Sequence, residues 1–516
     1  MASERWITAL LLAAIMLLAF GLRMYAASKK GLVGTDEAGY LMAGRNLWRG
    51  EGLAISRGQP FVSHPALHGI VVGGVARCLH MDDLQKANGL CFAVFGALGC
   101  CAMFLLARQL YGTGAGLLAA ALYATVPSLS VHVYYWDSTA ETLCLFFLLM
   151  GCYGFSLAYF GNRLAGAAAG AAFFALAGCV RNDGFVFMAL MTALLLAVKA
   201  ITRAWPLRRC MACLFLCLVA FSVAYSPYAR FLWRHSGKIM TDIAQVTMRN
   251  YDPIKRKQDP LYAEKPATVS KESEATPHSV REWQSLFGRV SENLRTMFDR
   301  REVLAVFPYY LLLFLGLGLL AEAMASGSAL RFLFIGAMIA PMFAYVLFFI
   351  SARFLVVALP GMLILVTRGL GAASFQARAV RLTLPVIACG ALLLHSLAML
   401  PALARASQHS EFENAGQWIS GHTDRDAVLM TRKPEVAFYA DRDLARLPYV
   451  ENEPALYAAA KAAEVRYVVF DEARSLDFRP KLEFLLDRQR MLKSLFFEVV
   501  YSETRPGARI VVLRPK

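Results

Sequence analysis

A small set of ionisable side chains stands where long apolar stretches begin or end: Asp36, Glu37, His64, Asp137, Glu141, Arg181, Asp183 and Arg353. A charge beside hydrocarbon is costly, so residues of this kind usually have a partner or a task. Their types divide into two chemistries. Guanidinium and imidazole groups donate hydrogen bonds to anionic oxygens such as those of a phosphate. Carboxylates take or orient the proton of an attacking hydroxyl or amine. A structural account exists for each residue as well. Arg181 and Arg353 can pair with Asp183, Asp137 or Glu141 and tie helices together. Asp36 and Glu37 can charge the start of a helix. Asp137 can cap the following span, with Glu141 as its companion one turn on. Two arginines beside several carboxylates at one level favour a site for an anionic group over ion pairing alone.

The elements that must position these residues are apolar helices. Of the 516 residues, 58% are hydrophobic and only 17% charged, against roughly a quarter charged in soluble domains. Apolar runs near the spanning length of about 20 residues recur along the chain. They predict a polytopic α-helical membrane protein with spans near 6–27, 86–108, 114–130, 138–160, 163–180, 184–200, 210–232, 303–321, 332–350, 354–370 and 382–404. The first run exceeds the roughly 7–15 residues of a signal-peptide core, so it reads as an uncleaved span. With the N-terminus in the cytoplasm, Arg108, Arg163, Lys199, Arg203, Arg208, Arg209, Arg331, Arg368, Arg378 and Arg381 all fall inside. That is the expected bias of short cytoplasmic loops. It places the ionisable set at the outer ends of the spans, with Arg181 and Arg353 on the side where basic residues are unusual.

Within a membrane module of residues 1–404, segment 31–85 is expected to stay outside. It reads as two interfacial helices, Asp36–Arg49 and the short, glycine-rich Ala66–Leu79. A span there would invert every later loop. Residues 234–302 form an outer polar loop with a disorder-leaning middle, Asp252–His278. Residues 405–516 read as a small extracytoplasmic α/β domain. Strands are expected at Ala427–Met430, Val465–Phe470, Phe496–Tyr501 and Arg509–Leu513, and helices at Glu411–Ser420 and Arg479–Leu492. The net charge of +16 is explained by the inner loops, and without a recognition-helix pattern no nucleic-acid partner is expected. The cysteines sit in apolar segments, which argues against a disulfide framework. Cys210, Cys213 and Cys217 have helical spacing but no His or carboxylate beside them, so they read as helix filler rather than a metal site. His395, inside the last span, is expected to be a hydrogen-bonded core residue.

The motifs around the ionisable residues, taken in order, resemble those of the GT-C glycosyltransferases, in the branch of protein O-mannosyltransferases and lipid A aminoarabinose transferases. Thr35-Asp36-Glu37-Ala38-Gly39-Tyr40 is similar to the family's first outer loop, with its acidic residue at the catalytic centre. His64-Pro65-Ala66-Leu67 resembles the element that opens the next interfacial helix, with His64 where some members have lysine. Tyr135-Trp136-Asp137-Ser138 resembles the second acidic site. Arg181-Asn182-Asp183-Gly184 resembles the Arg/Lys-x-x-Gly turn, here unusually acidic, and Arg353-Phe354-Leu355-Val356-Val357-Ala358-Leu359-Pro360 resembles the opening of a late span. The resemblance covers roughly residues 5–405. It implies a GT-C fold, an inverting glycosyltransferase and a polyprenyl-phosphate-linked sugar donor, in the bacterial inner membrane. The acceptor is left open among protein, lipid and glycan. The resemblance gives Asp36 the role of acceptor base or orienter, Asp137 that of second carboxylate and Glu37 that of adjoining acid. Arg353, Arg181 and His64 are then candidates for the donor phosphate. Some members use a divalent metal; three clustered hard ligands are not evident here. The rival reading, a transporter or flippase of a lipid-linked sugar, calls for broken helices and internal repeats, which the sequence does not show.

Overall fold

The computed structural model describes residues 2–31, 33–136, 139–241, 280–299, 303, 306–325, 327–347, 352–373, 378–408, 410–473, 475–476, 479–504 and 509–516. Asp137 and the expected disorder-leaning stretch Asp252–His278 lie outside the described residues.

The chain opens with α1 (Ala2–Ala27). Next come α2 (Thr35–Trp48), a hairpin of β1 (Ala54–Ser56) and β2 (Gln59–Pro60), and α3 (Leu67–Cys78). Seven further helices follow: α4 (Leu84–Tyr111), α5 (Thr113–Thr125), α6 (Pro127–Ser130), α7 (Glu141–Tyr159), α8 (Leu164–Val180), α9 (Asp183–Ile201) and α10 (Leu207–Ser236). Beyond the amphipathic α11 (Val280–Met297) lie α12 (Leu312–Met324), α13 (Ala329–Ile339), a short turn of helix at Ala352–Leu355, α14 (Leu359–Ala373) and α15 (Arg378–Ala406). Among the described residues, 7 helices are long and apolar enough to cross a membrane, and shorter apolar helices accompany them. Each expected span overlaps one of these helices over its described residues. The 12 residues of α3 extend about 18 Å.

Small residues let these helices pack closely. On α8, Gly166 and Gly170 lie against Gly154 and Gly151 of α7, where an added Cβ would fall within 2.7 Å of backbone oxygens. Such small-residue seams drive association where lipid removes the hydrophobic incentive. The interfacial pair uses the same device. A Cβ on Gly44 would stand 2.0 Å from the Gly69 carbonyl oxygen, and one on Gly69 would stand 2.1 Å from that of Tyr40. Helices α2 and α3 therefore cross in backbone contact, which brings the start of α2 beside the His64–His68 segment.

The apolar bundle also holds charges that the sequence pattern hid. Arg23, fully buried in α1, donates to the carbonyls of Ala19, Tyr123 and Leu129. The last two flank the break between α5 and α6, where Pro127 interrupts the helical ladder and leaves carbonyls to be satisfied. Glu322 of α12, also fully buried, accepts from Tyr111 Oη at 2.9 Å and Arg331 Nε at 2.9 Å, with Arg368 Nε at 3.6 Å. Positions read only as loop cations thus also neutralise a carboxylate inside the bundle. His395 meets the Tyr310 hydroxyl at 3.2 Å.

The tail builds a five-stranded sheet in the order β4-β3-β5-β7-β6 from β3 (Val428–Thr431), β4 (Asp443–Arg446), β5 (Tyr467–Asp471), β6 (Phe497–Glu503) and β7 (Ile510–Pro515). Strands β4, β3 and β5 are parallel, and β5, β7 and β6 antiparallel. Alternate residues face opposite sides. Leu429, Tyr467, Val469, Ile510 and Val512 pack with α16 (Ser410–His422) and α17 (Glu435–Ala440), in a cluster that also takes in Met42 of α2. Met430, Val468, Phe470, Val511 and Leu513 pack on the other face with α18 (Glu453–Ala462). Here the sequence expectation is incomplete. It omits β4, α17 and α18, and its helix over Arg479–Leu492 is instead a 3-10 turn, Pro480–Leu486, followed by one α-turn, Arg488–Met491. Asp487 divides the two by capping the second through its side chain.

Candidate active site at the helix ends

Asp36 sits in the first turn of α2. Its Oδ2 accepts from Arg353 Nη1 at 3.2 Å, and its Oδ1 lies 3.9 Å from His64 Nε2. Burial pushes this carboxyl upward, but the nearby His64, Arg353 and Lys433, with the Arg353 hydrogen bond, outweigh it and hold it below the usual aspartate range. It is ionised at neutral pH. His64 is pushed down, first by burial and then by the cations Arg353, Lys433 and Arg446, against the pull of Asp36. It stands as a neutral imidazole, stacked on Phe61, edge-on to Tyr40, with its carbonyl fixed by the Tyr228 hydroxyl at 2.9 Å. A neutral imidazole donates one hydrogen bond to an anion but adds no charge.

Arg353 and Arg181 approach the Phe354 ring at 5.0 and 5.3 Å, so the two guanidiniums belong to one cluster. Their engagements differ. Arg181 is ion-paired to Glu141 at 2.6 Å and Asp183 at 2.8 Å, and Asp183 also accepts from the Tyr345 hydroxyl. Arg353 makes a single-donor contact with Asp36, so the rest of its fork can meet a ligand oxygen. Arg181 therefore serves first to join α7, α8 and α9, and Arg353 is the more available cation.

Glu37 departs from the expectation of an adjoining catalytic acid. Its side chain is fully buried. Oε2 accepts from Lys30 Nζ at 2.5 Å and from the Gly34 amide at 3.0 Å, and Oε1 accepts from Asn88 Nδ2 at 2.5 Å. The amide contact satisfies a donor at the helix start. The ion pair and the Asn88 bond tie α2 to α1 and α4. Asn88 continues to Thr139 Oγ1 at 3.1 Å, which meets His68 Nε2 at 3.3 Å. Thr139 has φ 56°, a left-handed conformation costly for a β-branched residue. Lys30 also donates to the Tyr134 carbonyl at 2.8 Å. This buried chain was missed from sequence. Asn88, a lone amide in an apolar span, and Lys30, a further cation on the side where basic residues are unusual, were its available signals.

The described residues do not make a divalent-metal site. No group of three or more His, Cys, Asp or Glu among them converges to hold an ion, and the neighbours of Asp36 include a guanidinium.

Residues 64–226 match the family model described as dolichyl-phosphate-mannose-protein mannosyltransferase. No curated protein sequence matches the chain. Among solved structures, the chain is similar to ArnT from Cupriavidus metallidurans bound to undecaprenyl phosphate, at 14% identity and TM-score 0.60, with 98% of each chain covered. It is also similar to the oligosaccharyltransferase AglB from Archaeoglobus fulgidus in complex with an inhibitory peptide and a dolichol-phosphate. That match has 14% identity and TM-score 0.58, covering 91% of this chain and 70% of that one. A third is the arabinofuranosyltransferase AftD from Mycobacteria, at 14% identity and TM-score 0.54, covering 99% and 40%. The likeness to these three structures is one of fold, and the family model matches residues 64–226, less than half of the chain.

Proposed function

We propose that this chain transfers a sugar from a polyprenyl-phosphate donor to a nucleophilic acceptor at the outer membrane face, with inversion at the anomeric carbon. The observation that carries this is the Asp36 carboxylate set between Arg353 and His64. The likeness to ArnT bound to undecaprenyl phosphate, over nearly the whole chain, supports the donor class. In the proposed displacement the acceptor oxygen or nitrogen bonds to the anomeric carbon as the bond to the lipid phosphate breaks. The released phosphate takes the departing charge and is met by Arg353, whose planar fork suits it. Asp36 orients the acceptor and receives its proton. With its carboxyl held below the usual range, Asp36 is a weak base, so it orients the acceptor early and takes the proton late. Asp137, the second carboxylate in this reading, would assist the same acceptor.

Replacing Asp36 by Asn keeps shape and most hydrogen bonding but removes the charge. In a reconstituted assay with a polyprenyl-phosphate sugar, turnover of Asp36→Asn is expected to fall by about 10²-fold or more, with donor binding retained. Asn caps a helix nearly as well as Asp, so near-wild-type turnover would reduce Asp36 to a helix-start residue. Mass spectrometry of glycolipids and glycoproteins from cells with and without the gene names the acceptor. The same variant separates transfer from transport, since a transporter needs no acceptor base.

A further inference from the structure

The buried chain centred on Glu37 reaches further than a tie between helices. Besides the Gly34 amide, Glu37 accepts from the Lys30 ammonium and the Asn88 amide, each at 2.5 Å. A carboxylate only accepts, so it faces the NH2 side of the Asn88 amide. The same NH2 group donates to Thr139 Oγ1 at 3.1 Å, which leaves the Thr139 hydroxyl proton for His68 Nε2 at 3.3 Å. Lys30 divides its donors too. It donates to the Tyr134 carbonyl at 2.8 Å and lies 4.6 Å from the centre of the Tyr134 ring. That ring is stacked on Phe92 of α4, one helical turn past Asn88, at 4.6 Å.

The two arms of this chain end on Tyr134 and Thr139, which stand on either side of Asp137 in the sequence. Their common centre, Glu37, is the neighbour of Asp36. Lys30, Glu37, Asn88, Tyr134, Thr139 and His68 are all buried, where hydrogen bonds are stronger than in water. Thr139 keeps a left-handed backbone, φ 56°, a conformation that persists in a β-branched residue only where the surroundings impose it. An apolar contact of similar volume would hold the helices as well. It would not fix direction, whereas an ion pair and an amide meeting at one carboxylate do.

We propose that Lys30 and Asn88 are positioning residues for the transfer reaction: through Glu37 they hold the turn of α2 that carries Asp36 in register with the backbone on both sides of Asp137. This rests on the glycosyl-transfer reading and deepens it. Neither residue touches substrate in this role; each acts through the carboxylates it aligns. The full chain is tested in native membranes, where mass spectrometry reads the rate of glycosylated product per molecule of enzyme. Lipid nanodiscs give its melting temperature and its affinity for undecaprenyl phosphate. Asn88→Leu removes both amide bonds at nearly constant volume. Its rate is expected to fall by about 10-fold or more, the scale of a small misplacement of reacting groups, with undecaprenyl phosphate affinity unchanged. Thr139→Val, which loses only the hydroxyl, is expected to lose part of that rate, and Thr139→Ser to keep it. On an Asp36→Asn background Asn88→Leu should cost little more, because alignment of the pair no longer matters once one member is disabled. A chain that only stabilises the fold would lower the melting temperature and leave the rate per molecule intact. That result overturns the proposal, as do losses that multiply with Asp36→Asn, a Thr139→Val loss that Thr139→Ser shares, or a fall in undecaprenyl phosphate affinity. If Asn88→Leu does not insert, the Thr139 pair decides by the same criteria. A wild-type product that Asp36→Asn abolishes and Asn88→Leu preserves removes this proposal alone. A wild type that yields no product removes the transfer reading and this proposal with it.

Discussion

Asp36 and Glu37 are neighbours in sequence with opposite fates. Adjacent positions on a helix point about 100° apart, so one carboxylate faces the cluster of Arg353 and His64 while the other is drawn into the buried chain from Lys30 to Asn88. Residue type does not reveal which of two first-turn acids is turned inward, because the partners come from α1 and α4. The sequence pattern did identify Arg353, a cation on the side where cations are rare. Its distinction from Arg181 was not legible, since it depends on which arginine finds two carboxylates. A measurable consequence follows. Arg353→Ala is expected to weaken polyprenyl-phosphate donor binding by roughly 2 kcal/mol, the scale of a charge-assisted hydrogen bond in a partly buried site. Acceptor affinity should change little, and Arg353→Lys should recover only part because the planar fork is lost. Titrating each substrate separately checks this. An unchanged donor affinity in a stable Arg353→Ala protein would remove Arg353 from the phosphate site.

At the scale of elements, the site depends on how tightly α2 and α3 cross. Gly44 and Gly69 allow backbone contact there, and the aromatic edge contacts of Tyr40 with His64 and His68 fill the remaining space. The helices themselves were legible from spacing, but their crossing was not, because glycines in an apolar helix carry no marker of the partner they approach. The same holds for His68, which sequence gave no reason to notice. Burial pushes its imidazole from an ordinary value near 6.5 down to about 4, with the Asn88 hydrogen bond opposing and the Lys30 charge adding to the shift. Between those two pH values the unfolded chain binds a proton that the folded chain refuses. This contribution to stability is therefore complete above pH 6.5 and is lost as pH falls toward 4, by on the order of 3 kcal/mol. Thermal unfolding in detergent is expected to show a steeper fall between pH 7 and 4.5 for the wild type than for His68→Gln. Parallel pH slopes for the two proteins would contradict the assignment of a buried, neutral His68.

For the whole molecule, the decisive quantity is sidedness, because in the proposed reaction a lipid-borne sugar and the Asp36 cluster must meet at the same membrane face. Several of the expected inner cations are engaged within the bundle. Arg331 and Arg368 surround Glu322 with Tyr111. Lys199 donates to the Tyr159 carbonyl and to Asn162, whose own carbonyl accepts from Arg209. These contacts consume little of the positive bias, since Glu322 is the single carboxylate in both groups, so the loops still carry an excess of Lys and Arg. Asp36 lies in the first turn of α2, and the tail unit is bolted to that helix and the hairpin after it through Thr35, Arg45, Arg49 and Ser56. The orientation of the tail is thus tied to that of the site, and one measurement serves both. A reporter that works only in the cytoplasm, fused after Lys516 and expressed in a bacterial inner membrane, is expected to stay silent, while one that works only outside should be active. Moving the first reporter to the loop near Arg203 should restore its activity and show that the fusion itself is tolerated. A cytoplasmic signal from the Lys516 fusion would turn the whole bundle over. Asp36 and Arg353 would then face the compartment opposite to that proposed for the acceptor, and the outer-face transfer reading would fall with them.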